Sequence, residues 1–377
     1  MAATLRTPAH AYEANGTHTA GGTHTVPRAA VRAAALALAA IAIQFLMVTA
    51  YAWSAASTAP RNVPVAITGP AQQVAAVTGK IELAQPGAFR LVPAGSPGQA
   101  AADITSRQAY GAIVLAGAAA SPSTPNATTP PDAKPKVLVA SGASPAIANI
   151  LKGLAGHLDG TPAPAVRDLV PSAPADPNGT GFAFTVLPIA MSSLAAGILL
   201  SMGIRRRAYH AAALVAFGAG GGLASIAVAH TWLGLLPGSF PVLASATGLA
   251  ALAAAAGVSG LSRLGALLGR PSAGTAVGGA LIMLVGNPFS GAGSAPEMLP
   301  GAWGLAGQCL PNGALATLLR SVAYFDGTRS AGPWTVLAVW AIAGLLLTAL
   351  VRPRAARAAG AADPAGLQRG TGADPAG

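Results

Sequence analysis

Six apolar runs with arginine clusters at alternate junctions constrain this chain more than any other feature. They cover residues 33–53, 182–204, 211–236, 242–261, 273–285 and 334–351. A helix needs about 20 predominantly apolar residues to cross a bilayer, so five of the runs are long enough and 273–285 is the marginal one. Arg28 and Arg32 precede the first run and Arg205, Arg206 and Arg207 follow the second. Arg263 and Arg270 lie between the fourth and fifth, and Arg352, Arg354 and Arg357 follow the last. Basic residues at span ends set orientation, the basic side being cytoplasmic. Threading the chain by that rule gives one consistent answer: both termini inside, 61–180 outside, and every arginine cluster on the cytoplasmic face. The expectation is a multi-pass plasma-membrane protein with six transmembrane helices.

The composition agrees. The chain is 53% hydrophobic and 9% charged, a membrane balance. Its formal net charge of +11 resides largely in the arginines that flank the runs, so a nucleic-acid partner is not implied. The dominance of Ala, Gly and Pro, with Arg favoured over Lys, suggests a GC-rich bacterial genome. Cys309 is the only cysteine, which excludes an intramolecular disulfide. No Asp, Glu, Lys or Arg falls in the middle of a run, which weighs against ion-coupled transport.

Residues 1–27 are polar and aperiodic and read as a disordered cytoplasmic tail, as do 358–377. The first run is read as an uncleaved anchor. It is longer than a signal-peptide core of about 7–15 residues, although Ser57-Thr58-Ala59 has the small side chains of a cleavage site. Residues 61–180 are soluble in character. Strands are expected at 63–67, 89–92, 110–115, 136–140 and 166–170, and helices at 72–77, 98–108 and 145–158, with a Pro/Thr/Ser linker at 121–135. Strands alternating with helices predict a small α/β domain with a largely parallel sheet. Its conspicuous charges, Asp103, Arg107, Asp159, Arg167 and Asp168, form no known constellation. Gly218, Gly220, Gly221 and Gly222 in the third run predict a helix-packing face.

Between the last two runs lies a stretch, 286–326, too broken by Pro and Gly to cross a membrane. Asn287, Pro288, Pro296, Glu297, Pro300, Trp303, Pro311 and Arg320 mark it. Irregular backbone at membrane depth survives only where protein or water satisfies its polar groups, so the stretch reads as a re-entrant or surface-lying helical hairpin. Its prolines should interrupt helices. Glu297 and Arg320 are its charges nearest the membrane. An ion pair across the hairpin and two separately solvated interfacial charges both fit the sequence.

One span, a large outer domain, then five spans with a broken outer hairpin before the last resembles the type-2 ABC exporter permeases. The chain looks closest to their relatives with a large outer domain, the phage-infection-protein-like membrane proteins. The residues that carry the resemblance are Pro296-Glu297-Met298-Leu299-Pro300-Gly301-Ala302-Trp303 and Leu310-Pro311-Asn312-Gly313, leading to Leu319-Arg320. The resemblance implies a transmembrane subunit for export of a hydrophobic or amphipathic substrate, with the hairpin at the outer mouth of its path. The partners expected are the lipid bilayer, a separate ATPase subunit and a second copy of the chain. In one respect the chain departs from the family: only residues 205–210 are available where such permeases present a coupling helix to the ATPase. A non-transporting scaffold or receptor whose outer domain binds a partner is the alternative. No nucleophile–base pair, metal set or paired carboxylates emerge, so neither an enzyme nor a cofactor is expected.

Overall fold

A computed structural model describes residues 28–117, 135–156 and 164–351. The chain divides into two compact units, residues 1–45 and 46–377. The described part of the first is the leading portion of helix α1 (Arg28–Ala56), an apolar helix that runs across the division. The expected tails at 1–27 and 358–377, together with Arg352, Arg354, Arg357 and Asp159, lie outside the described residues.

The second unit holds a five-stranded mixed sheet and a mostly helical remainder. The strands are β1 (Val63–Thr68), β2 (Phe89–Pro93), β3 (Gly111–Val114), β4 (Lys136–Val139) and β5 (Ala165–Asp168), in the order β2-β1-β3-β4-β5. Helices α2 (Ala71–Ala84), α3 (Pro97–Thr105) and α4 (Pro145–Ala155) connect them. Two of these helices start on the same Ser-Pro signal. The Ser96 and Ser144 side chains accept from the backbone N–H groups of Gln99 and Ile147, and Pro97 and Pro145 open the first turns.

The sheet is less parallel than expected. β3 and β4 run antiparallel, and the other neighbours are parallel. A parallel return requires a crossover, usually a helix. The Pro/Thr/Ser sequence between these two strands carries no helical pattern, so β4 follows β3 as an antiparallel neighbour.

Each face of the sheet has its own core, and neither is closed by the α/β segment alone. Val63, Val65, Ile67 and Ile113 pack with Ile147 and Leu151 of α4, and Ala295 and Met298 complete the cluster. On the other face Ala66, Ala112 and Leu138 pack with Ile104 of α3, and Phe325 completes it. Three of these completing residues, Ala295, Met298 and Phe325, belong to the stretch that sequence marked as a hairpin.

Among the described residues, five helices are long and apolar enough to cross a membrane: Val31–Ala56, Thr180–Gly203, Arg207–Trp232, Phe240–Leu267 and Ala331–Leu350. We denote the last four α5, α6, α7 and α11; the end of α6, Ala227–Trp232, is a π-helical turn. Between α7 and α11 come α8 (Pro271–Ala280), continued by a π-helical turn at Leu281–Gly286, then a 3₁₀ turn (Pro296–Met298), α9 (Trp303–Gln308) and α10 (Pro311–Tyr324). The fifth expected span is thus the short apolar helix Pro271–Gly286. At about 1.5 Å per residue it reaches roughly 24 Å, less than the approximately 30 Å hydrocarbon core.

Helix α7 is the axis of this part. It touches α5, α6, α8, α10 and α11, and 78% of its most apolar window is buried, against 22–28% for α5, α6 and α11. It can be central because it is built of Ala and Gly, which let neighbouring backbones approach. In α6, Gly218 and Gly222 lie against α7, while Gly220 faces open space. The packing face is therefore the pair one turn apart, not the whole glycine run.

Candidate functional site

The helix formed by α8 and its π turn ends in irregular backbone at 287–295, and the polar side chains around that loop are organised to hold it. A π turn shifts hydrogen bonding by one residue: the N–H of Asn287 donates to the carbonyl of Ile282, 3.0 Å away. The same carbonyl receives Nδ2 of Asn312 at 3.3 Å. A carbonyl only accepts, so this contact fixes the orientation of the buried Asn312 amide. Its Nδ2 also lies 3.4 Å from Oδ1 of Asn287, which turns the Nδ2 of Asn287 toward the Tyr51 hydroxyl at 2.7 Å. Tyr51 Oη is therefore an acceptor in this chain of amides, and among the described residues its own proton meets no acceptor.

The loop carbonyls are satisfied one by one. Ser54 Oγ donates to Pro288 at 2.8 Å and Gln308 Nε2 to Ser290 at 3.0 Å. Ser290 Oγ donates to the Asn287 carbonyl at 2.8 Å. Arg320, only 4% exposed, donates to Gly291 at 2.8 Å and Ala292 at 2.6 Å, with its guanidinium over the Phe182 ring at 4.6 Å. Irregular backbone buried in this way requires such partners, because each unpaired carbonyl costs about 1–3 kcal/mol. Trp303 stacks on Phe289 at a centroid distance of 4.7 Å and meets Trp53 edge-on at 6.2 Å.

Glu297 and Arg320 meet neither alternative left open by sequence. The guanidinium is buried on loop carbonyls, and Glu297 Oε2 accepts from the Tyr110 hydroxyl of the α/β segment at 2.7 Å. Burial, then the charge of Glu297, raises the Tyr110 pKa well above its ordinary value. Burial pushes the Arg320 guanidinium down to about 10, with Tyr110 opposing; it remains a cation at neutral pH. Arg107 reaches across to α10, bonding the Thr317 carbonyl at 3.3 Å and the Ser321 hydroxyl, and burial lowers its pKa as well. Arg61 closes the same junction by donating to the Met298 carbonyl at 2.7 Å. The result is a fixed joint between the α/β segment and the hairpin.

Beside the loop lies a cleft of about 450 Å³. Its walls are the end of α1 (Tyr51, Ser54) with Thr58 just beyond it, the start of α5 (Ala183, Phe184, Leu187) and the loop from Asn287 to Ser294. That volume lies within the roughly 300–1,000 Å³ typical of small-molecule sites. Among the described residues no three His, Cys, Asp or Glu side chains converge to hold a metal.

Of the residues marked from sequence, the structure brings Asn287 and Pro288 to the cleft and Glu297 to the joint. Arg320 holds the loop from behind. Pro296 and Pro311 open the 3₁₀ turn and α10, and Pro300 separates that turn from α9. Arg205 and Arg206 are exposed in the connection before α6, while Arg207 Nη1 donates to the Ala349 carbonyl at 3.1 Å. Sequence reasoning did not single out Ser54, Tyr110 or Arg61 as contacts of this stretch. Their partners lie more than a hundred residues away, and no local pattern announces them. No protein-family model, no curated protein and no solved structure matches this chain.

Proposed function

We propose that the protein is a permease-like integral membrane protein that exports a hydrophobic or amphipathic molecule, with the cleft as its outer binding site. The supporting observation is the cleft itself, opening between two membrane-length helices and an irregular loop held by side-chain donors to the carbonyls of Asn287, Pro288, Ser290, Gly291 and Ala292. In this reading the helix Pro271–Gly286, short as it is, completes six spans. The α/β segment is then extracytoplasmic, both termini are cytoplasmic, and the protein lies in the plasma membrane of a bacterium. An efflux assay with a fluorescent amphiphile in cells tests it. Ala183→Trp fills the cleft, and efflux should fall to the level of cells lacking the protein while the thermal melting of purified protein stays unchanged. Variant efflux equal to that of the unsubstituted protein would refute the cleft as the site, and efflux by the unsubstituted protein no greater than that of cells lacking it would refute the transport reading.

One observation favours a second reading. Only Ile204, Arg205 and Arg206 separate α5 from α6, which leaves no room for a cytoplasmic coupling helix and weighs against a partner ATPase. A receptor or scaffold that binds its partner through the α/β segment would need no such helix. Purification from native membranes separates the two: a bound ATPase favours the first, and a stable complex on the outer face without one favours the second.

A further inference from the structure

The hydrogen-bonding inventory of the cleft narrows what it can hold. Three hydroxyls on its wall have already committed their single protons to backbone carbonyls: Ser54 to Pro288, Thr58 to Ser54 at 2.8 Å, and Ser290 to Asn287. A hydroxyl whose proton is engaged offers only lone pairs. Ser294 Oγ, also on the wall, points its proton at the Ala295 carbonyl 3.5 Å away, and Tyr51, which accepts from Asn287, has no acceptor for its own proton among the described residues. Among the described residues that line the cleft, none is charged. The two guanidiniums that touch its bordering segments are occupied elsewhere: Arg61 on the carbonyls of Ser57, Ala59 and Met298, and Arg320 on those of Gly291 and Ala292. The side-chain polarity is thus uncharged and rich in acceptors, and Phe184, Leu187 and Leu299 supply apolar wall beside it.

From this we infer that the cleft selects a neutral amphiphile whose polar part carries hydroxyl donors, such as a sugar or glycerol headgroup on hydrocarbon chains. A phosphate headgroup offers acceptors only, and it would face hydroxyl lone pairs with no cation to offset its charge. Tyr51 and Trp53, at the end of a membrane-length helix, put the polar wall at the depth where headgroups lie. The inference rests on the membrane reading given under the proposed function and names the substrate class of that same cleft.

Full-length protein in detergent, titrated calorimetrically with two short-chain probes that share their acyl chains, tests it. The probes are dioctanoyl glucosylglycerol and dioctanoyl phosphatidylmethanol, whose phosphodiester headgroup carries no hydroxyl. The neutral glycolipid should bind about tenfold tighter, the factor that one or two net hydrogen bonds supply. Thr58→Val removes one acceptor and should weaken the glycolipid about 2–10-fold while leaving phosphatidylmethanol unchanged. Thr58→Lys should reverse the preference. Equal affinity for both probes, or affinities that neither Thr58 variant moves, would overturn the selectivity and leave amphiphile binding intact. No binding of either probe by folded protein would overturn the cleft as a binding site and the selectivity with it.

Discussion

The sheet region and the helical region of this molecule solve the packing problem with opposite side chains. In the sheet, β-branched and long aliphatic residues fill the space between layers: Ile67, Ile113, Ile147 and Leu151 are each at most 2% exposed. In the helical region the buried face of the axis helix is mostly Ala and Gly, and backbones meet with little between them. A Cβ on Gly344 of α11 would run into the backbone of Ala256 and Gly257, and one on Gly222 of α6 into that of Ala244 and Gly248. The difference follows from the solvent each region answers to. In water, burying a large aliphatic side chain contributes roughly 1.5–3 kcal/mol. In lipid that gain vanishes, and helices associate through close van der Waals contact, which small residues permit. The hairpin between Gly286 and Asp326 belongs to both regimes. Met298 and Phe325 act as core residues of the sheet, whereas Asn312 and Arg320 satisfy buried backbone as a membrane segment requires.

The largest expected effect is on which side of the membrane each region lies. In a Cys309→Ser background, Leu83→Cys, at a position 87% exposed on α2, should label with a membrane-impermeant reagent on intact cells, and Arg206→Cys only after permeabilisation. Labelling of position 206 from outside would break the assignment of the two regions to opposite sides. Next is the element that serves both. Arg320→Met removes the donor to the buried Ala292 carbonyl, at a cost of about 1–3 kcal/mol, and leaves the Gly291 carbonyl with the Ser294 N–H alone. A lowered melting temperature in detergent is expected, together with proteolysis within 287–295. An unchanged melt would mean that the loop does not depend on the guanidinium. The smallest effect sharpens the contrast within the helices. Gly344→Val should destabilise by about 1–3 kcal/mol, because the obstructing atoms are backbone and cannot turn away. Gly220→Ala, on the same glycine run as Gly222 but with nothing within 4 Å, should be neutral or stabilise by up to about 1 kcal/mol. Equal losses from both would contradict backbone contact as the basis of packing.

Much of the architecture was legible in the sequence because its signals are local. The apolar runs needed only their length and their arginine borders. The strands needed runs of Val and Ile, the helices α3 and α4 their Ser-Pro starts, and the hairpin breaks their prolines. The antiparallel β3–β4 pairing was also implicit in a linker without helical pattern, although the alternation of elements pointed the other way. The fifth run was misjudged in length only, since its π turn and the irregular loop after it have no composition of their own.

By itself, then, the sequence determined where the chain is apolar enough for a membrane, where it is α/β, and where neither pattern can continue. Tertiary structure alone decided what the interrupted stretch is for. It placed Met298 and Phe325 in the cores of the sheet, brought Tyr110 to Glu297, and sent Arg320 to two loop carbonyls instead of to the nearest carboxylate. It also formed a cleft from Tyr51, Ser54 and Asn287, residues separated by more than two hundred positions. The physical reason is that propensity and hydropathy act over a turn or a strand. A buried carbonyl must instead be satisfied by whichever donor the finished packing brings within about 3 Å, and sequence order does not measure that distance.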